Sequence, residues 1–373
     1  DNVESRGLGD VYKRQQNGLA LEYASAALKG DREVVLAACN QEGWAFQFAS
    51  ATLKSDRDVV LVACKQEGRA LMYAPVALKD DREVVRIACK QNGRALMHAS
   101  AALKDDREIV LVACKQDGRA LRYASAALQD DREVVRIACK QNGWALQYAS
   151  TALKADREVV LAACNQDGRA LQFASGALKG DREVVLAACN QDGDALGYAS
   201  AALKDDREVV LVACKQNGYA LYFASIRVRD DREVVLAACN QEGWALKYAS
   251  DALRDDREVV LVACTQRGLA LEYASVALLK DDREVVMVAM AQDMGRRPYL
   301  TQYASLALRV EFEANRIVMH VRNQLRLRSS FFGPFLCGIA LPRPEEAAAA
   351  APGGARCLSL IHISEPTRLH GIA

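Results

Sequence analysis

From Gln16 onward the chain repeats itself every 25 residues, and a strict period of that length belongs to stacked arrays, not to a single compact domain. The unit reads D-R-E-V-V-L-A-A-C-K-Q-N-G-x-A-L-x-Y-A-S-x-A-L-K-x. It starts at Asp31, Asp56, Asp81, Asp106, Asp131, Asp156, Asp181, Asp206, Asp231 and Asp256, and an eleventh start, Asp282, follows a one-residue insertion near Leu279. One unit is too small to bury its own apolar stripe, so neighbours must stack and supply the rest of the core. The expected fold class is all-α: an α-solenoid of about eleven 25-residue helical-hairpin repeats, elongated and curved.

The local signals agree with that architecture. Asp31 is a good N-cap, because its carboxylate accepts hydrogen bonds from amides that have no partner within the helix, and Glu33 in the first turn suits the helix dipole. The run to Glu42 places Val34, Val35, Ala38 and Cys39 on one face at i, i+3, i+4 spacing. Gly43 sits where a left-handed C′ residue is expected to end the helix. A second, shorter helix is expected from about Trp44 to Ala49, with Ala45, Phe46 and Ala49 inward. The next position is Ser in nine full units and Pro75 in one. Proline inside a helix costs about 3 kcal/mol but is tolerated in a first turn, so S-x-A-L-K reads as a separate helical turn leading into the next Asp. Alanine at the repeated positions lets helices approach closely. The last unit departs from the pattern, with Met290 in place of Cys and "MGRRPYL" lengthening the path to Tyr303, and it reads as a cap.

Composition narrows the function classes. The chain has 373 residues, 51% hydrophobic and 26% charged, with 49 basic against 48 acidic side chains. That near-neutral balance is neither disordered nor the strongly basic footprint of a nucleic-acid binder. No run approaches the ~18 apolar residues of a membrane helix.

At "ALKDDREVVLVACKQNGYALYFAS" (202–225) the repeat resembles that of domain-of-unknown-function family 4116, tandem helical units found in microbial eukaryotes and bacteria. The resemblance covers roughly 16–308 and rests on D-R-E-V-V, the Q-N-G-type turn and A-L-x-Y-A-S. Such repeats often carry a small aliphatic residue where this chain has Cys. The resemblance implies a helical repeat fold and assigns no catalytic residue.

The two ends are of another kind. Read backwards on the complementary strand with permitted codons, the tail "LSLIHISEPTR" (358–368) becomes SRGLGDVYKRQ, which is residues 5–15. The pair resembles the translated mosaic-end adaptor of transposase-based sequencing libraries, one copy in each orientation. Residues 1–15 and 358–373 are therefore expected to be adaptor-derived and non-native, and are set aside from the fold. Between them, 16–308 is read as the repeat array, and 309–341 as a C-terminal cap or the start of a truncated domain. The Ala/Pro/Gly-rich stretch 342–357 reads as a linker. With the native N-terminus expected to be missing, no targeting signal is read.

Ten of the twelve cysteines form a ladder from Cys39 to Cys264, one per unit. A disulfide needs Cα atoms within about 7 Å, whereas stacked helices stand about 8–10 Å apart. The C-x-x-C spacing of zinc sites is absent, and only His98 accompanies the ladder, so each Cys reads as a small buried hydrophobe. No metal or other cofactor is expected. Ten reduced thiols favour a cytoplasmic or nuclear compartment. The Asp-Arg-Glu trio recurs in every unit, which suits capping and a surface ion-pair ladder rather than catalysis. The Tyr/Phe column (Phe48, Tyr73, Tyr123, Tyr148, Phe173, Tyr198, Phe223, Tyr248, Tyr273, broken by His98) reads as half-buried packing.

What varies against this constant frame is more informative. The residue after each Gly runs Trp44, Arg69, Arg94, Arg119, Trp144, Arg169, Asp194, Tyr219, Trp244, Leu269. Three residues on come Gln47, Met72, Met97, Arg122, Gln147, Gln172, Gly197, Tyr222, Lys247, Glu272. Positions i and i+3 share a helix face, so the two columns form one stripe. Exposed Trp, Arg, Tyr and Met are the residues of interface anchors, and the competing reading is a solvated face free to drift. The expected function is a non-catalytic scaffold that binds a protein or peptide partner through this stripe. One alternative is a code-like nucleic-acid reader, which suits the Arg and Trp but not the net charge. Another is the regulatory array of a larger enzyme lost by truncation.

Overall fold

The computed structural model describes residues 18–275 and 282–292. Eleven ten-residue α-helices recur through the described residues, from Arg32–Gln41 and Arg57–Gln66 to Arg283–Gln292. A six-residue 3₁₀-helix follows each of the first ten, as Gly68–Tyr73 follows Arg57–Gln66. Up to Asp256 a third short turn then leads to the next Asp, either four residues of α-helix as in Ala101–Lys104 or three of 3₁₀ as in Leu153–Ala155. The chain is therefore the all-α repeat array expected, with no strand among the described residues. The insertion near Leu279, the Met-Gly-Arg-Arg segment, both expected adaptor ends and the stretches 309–341 and 342–357 lie outside the described residues.

The long helix starts where the aspartate says it should. Asp56 has extended backbone (φ −79°, ψ 115°), and its carboxylate accepts from the amides of Asp58 at 2.9 Å and Val59 at 3.3 Å. The Arg of each unit then reaches forward to the next cap. Arg57 donates to Asp81 at 2.8 Å and to Glu83 at 2.5 Å, and the pattern recurs up to Arg257 with Asp282 and Glu284. The ion-pair ladder thus links units to one another. Each pair is exposed and contributes about 0–1 kcal/mol, so it fixes register more than stability.

The second, shorter helix is present where expected, is of 3₁₀ type, and begins at the Gly, one residue early. Its threefold period explains the sequence: Gly68 and Leu71 are buried, Arg69 and Met72 face out, and Ala70 and Tyr73 form the third side. The glycine is not a left-handed C′ residue. The long helix ends on an extended residue, Glu42 at φ −145°, and Gly43 opens the 3₁₀ turn. Glycine is needed for close approach: a Cβ on Gly43 would lie 2.8 Å from the carbonyl oxygen of Ala63 in the next unit.

The core is one set of positions repeated along the array. Val59, Val60, Ala63, Cys64, Ala70 and Leu71 have no exposed surface, and their counterparts in the inner units match them. Val34, at the first long helix, has no earlier long helix against it among the described residues and is 36% exposed, where Val59 is fully buried. The apolar positions that look towards a neighbour are thus filled by stacking, not by the unit itself.

The third turn is capped by Ser. Ser100 accepts from Leu103 N at 3.3 Å, and its own amide donates to Lys79 O of the preceding turn at 2.9 Å. Pro75 stands at the same N-cap position with neither a side-chain acceptor nor an N–H to give to Lys54 O. Pro75→Ser restores both bonds and is expected to stabilise the array by about 1 kcal/mol, the cap and inter-unit bond outweighing the lost stiffening of the unfolded chain. A urea midpoint that falls instead would show that the restriction by proline dominates.

Candidate functional site

The 3₁₀ geometry brings the two variable columns together, because side chains three apart eclipse one another. In the first column Arg69, Arg94, Arg119, Arg169 and Tyr219 are exposed, while Trp44, Trp144, Trp244 and Asp194 are half-buried and Leu269 is buried. In the second, Met72, Met97, Arg122, Tyr222, Lys247 and Glu272 are exposed, and Gln47, Gln147 and Gln172 are half-buried. The tryptophans correct the expectation of exposed anchors. Each indole lies edge-on to an aromatic ring of the next unit: Trp44 on Tyr73 at 6.3 Å, Trp144 on Phe173 at 5.5 Å, Trp244 on Tyr273 at 5.5 Å. Trp144 Nε1 also donates to Asp167 at 2.6 Å. A large ring beside an apolar neighbour gains more from contact than from water. Leu269 folds inward for the same reason.

Part of the positive charge in the stripe is answered within the array. Arg94 pairs with Asp117 at 2.9 Å, and Arg169 with Asp192 at 2.7 Å and Asp194 at 3.0 Å. Arg69 stands 5.8 Å from the Trp44 ring. Arg119 and Arg122 are exposed and make no ion pair among the described residues. What is left outward is mixed: thioethers, tyrosines, a few guanidinium groups, the Lys247 ammonium and the Glu272 carboxylate.

The constant side chains are structural. The hydrogen bond from Arg82 holds the Asp106 carboxyl below the usual carboxylate range. The ten ladder cysteines are free and buried, and burial pushes thiols such as Cys64 and Cys89 up to about 12, so they stay protonated and poorly nucleophilic. Burial, with Lys79 and Arg69 nearby, lowers the pKa of His98 and keeps the ring neutral. Among the described residues no three His, Cys, Asp or Glu side chains come together as metal ligands, and no helix is long and apolar enough to cross a membrane.

Two features escape a reading of the sequence alone. The Gln before the turn clamps successive units in part of the array: Gln91 Oε1 accepts from Gly68 N at 2.6 Å while its Nε2 donates to Gln66 O at 2.9 Å, and Gln141 makes the same two bonds to Gly118 N and Gln116 O. Its presence in every unit is the signal, but a polar residue near a helix end reads as solvated until the neighbour is in place. The second feature is where Tyr198, Phe223 and Tyr248 of the aromatic column meet the variable stripe. There Asp194 and Gly197 replace larger residues, and the column opens instead of packing shut.

Comparison with known families finds one, described as "Domain of unknown function (DUF4116)", matching residues 15–54, 31–79, 56–104, 81–129, 131–179, 181–229 and 231–279. These overlapping matches together span more than half of the chain. No curated protein and no solved structure matches it.

Proposed function

Since the chain belongs to this family of tandem helical repeats of unknown function, we propose that it is a non-catalytic scaffold that binds protein or peptide partners along its variable stripe. One observation carries the reading. On a frame otherwise constant from unit to unit, the outward positions hold large apolar side chains that water does not favour: Met72, Met97, Tyr219 and Tyr222 are 38%, 40%, 41% and 54% exposed. Aromatic side chains, Met and Arg are enriched at protein interfaces, and a repeat array presents them at regular intervals to an extended partner. The internal pairing of Arg94 and Arg169 with carboxylates weighs against a reader of nucleic-acid backbones, which leaves such cations free for phosphate.

The test is selection of displayed peptides against the purified chain. Their affinity is then measured for a Met72→Ser/Met97→Ser/Tyr219→Ser variant and for Ile226→Ser, a side chain 85% exposed on the third turn of its unit. The stripe variant is expected to lose at least about tenfold in affinity, as for hot-spot residues, and the control nothing. Equal affinity for all three proteins would remove the stripe as the binding face. Single-stranded RNA or DNA bound with a steep salt dependence would transfer the stripe to the nucleic-acid reading.

A further inference from the structure

In three units the residue after the glycine is Trp, and its indole lies edge-on to the aromatic side chain 29 positions further on. The Asp181 unit carries Asp194 there instead, and the corresponding ring is Phe223. Three residues on it carries Gly197, where other units have Gln, Met, Arg, Tyr, Lys or Glu. The side chains that Trp144 and Gln147 supply in their own unit are therefore absent here, and the Phe223 ring leans against Gly197, where a Cβ would lie 2.9 Å from Phe223 Cε1. A cleft of about 350 Å³ opens, lined by Gly197, Tyr198, Tyr219, Tyr222, Phe223 and Tyr248, with Arg169 and Asp194 beside them. Apart from Tyr23, near the start of the described residues, the exposed aromatic side chains among them are Tyr198, Tyr219 and Tyr222, and all three line this cleft.

The lining selects its occupant. Tyr222 stands edge-on to Phe223 and to Tyr248, both at 5.1 Å, so the wall is a set of ring faces and edges suited to one more ring. Asp194 accepts from Arg169 Nη2 at 3.0 Å and from Asn217 Nδ2 at 2.9 Å, and a carboxylate has acceptor capacity beyond two bonds. An N–H donor is thus complementary to the polar group of the cleft, as Trp144 Nε1 is to Asp167. A cation is not, because positive charge is already in place: Arg169 lines the cleft, Lys204 Nζ donates to Gly197 O at 2.7 Å, and Lys247 Nζ stands 5.9 Å from the Tyr248 ring. The volume lies at the small end of ligand sites and suits a single large side chain.

We propose that this cleft receives the indole of a tryptophan carried by a protein partner, standing edge-on to Phe223 where the array's own Trp stands in other units. The proposal rests on the stripe being the binding face and names what one segment of it recognises.

The experiment titrates fluorotyrosine-labelled chain with the N-acetyl amides of tryptophan, leucine and arginine, followed by fluorine NMR with Tyr219→Phe and Tyr222→Phe used for assignment. Saturable shifts at Tyr219 and Tyr222 are expected, with the tryptophan amide bound about three- to tenfold tighter than the leucine amide. The double variant Asp194→Trp/Gly197→Gln supplies the missing side chains from within, with the Phe223 ring displaced by the new Cβ, and is expected to lose the shifts. Tyr222→Ser, at an exposed position, is expected to weaken binding and serves where the double variant does not fold. Equal binding of tryptophan and leucine, preference for arginine, no saturable shift, or binding unchanged in these variants would each overturn the proposal. The scaffold reading fails separately. Selected peptides that tolerate Asp194→Trp/Gly197→Gln but not the Met72 and Met97 substitutions would keep the stripe and remove the cleft.

Discussion

Gly168→Ala is expected to cost about 3 kcal/mol, whereas Gly176→Ala is expected to be neutral or stabilising by up to about 1 kcal/mol. The two substitutions add the same methyl group. At Gly168 that Cβ would overlap the carbonyl oxygen of Ala188 in the next unit and lie 3.0 Å from Asp192 N, backbone atoms that cannot step aside without parting the units. At Gly176 nothing lies within 4 Å, so alanine only restricts the unfolded chain. Stability in an array is approximately a sum of unit and interface terms, so a wedge at one interface is felt there first. Urea unfolding of Gly168→Ala should separate into two steps, and native-state hydrogen exchange should speed up on both sides of the Asp156–Asp181 junction. Equal effects from the two glycines would mean that close approach is not why the first is glycine.

Leu171→Ala is expected to destabilise by about 2–5 kcal/mol, and Leu28→Ala by less than about 0.5 kcal/mol. Leu171 has no exposed surface and lies on the inward side of the 3₁₀-helix Gly168–Phe173, whereas Leu28 is 46% exposed. Truncation at Leu171 removes apolar area and leaves a void that the close-packed backbone around Gly168 cannot collapse to fill. The measurement is again the urea transition, compared at equal chain concentration. A loss at Leu171 no larger than that at Leu28 would contradict the account of the core as one column of stacked positions.

The helix starts and the buried thiols were legible because their causes are local. Asp56 caps the amides of residues two and three positions on, and the Cys64 face follows from the helical period. The candidate stripe was legible as a pair of columns, since a variable residue on a constant frame stands out in one sequence. Its geometry was not. Whether Trp144 faces solvent depends on Phe173, and whether Gly43 is a C-cap or a contact depends on Ala63, both in the following unit. The Gln91 clamp and the cleft over Phe223 were hidden for the same reason, being made of groups 20 or more residues apart.

By itself, then, the sequence determined the class: the 25-residue period, its caps and its apolar spacing admit stacked helical units and little else. The tertiary structure decided the 3₁₀ form of the second helix, the reason for each turn glycine, the burial of the tryptophans and the aromatic cleft at Gly197. The division has one physical cause. Capping and periodicity act along the chain within a turn or two, whereas close approach and ring packing act across the interface between units, where the partner atoms are supplied only once the neighbour has stacked.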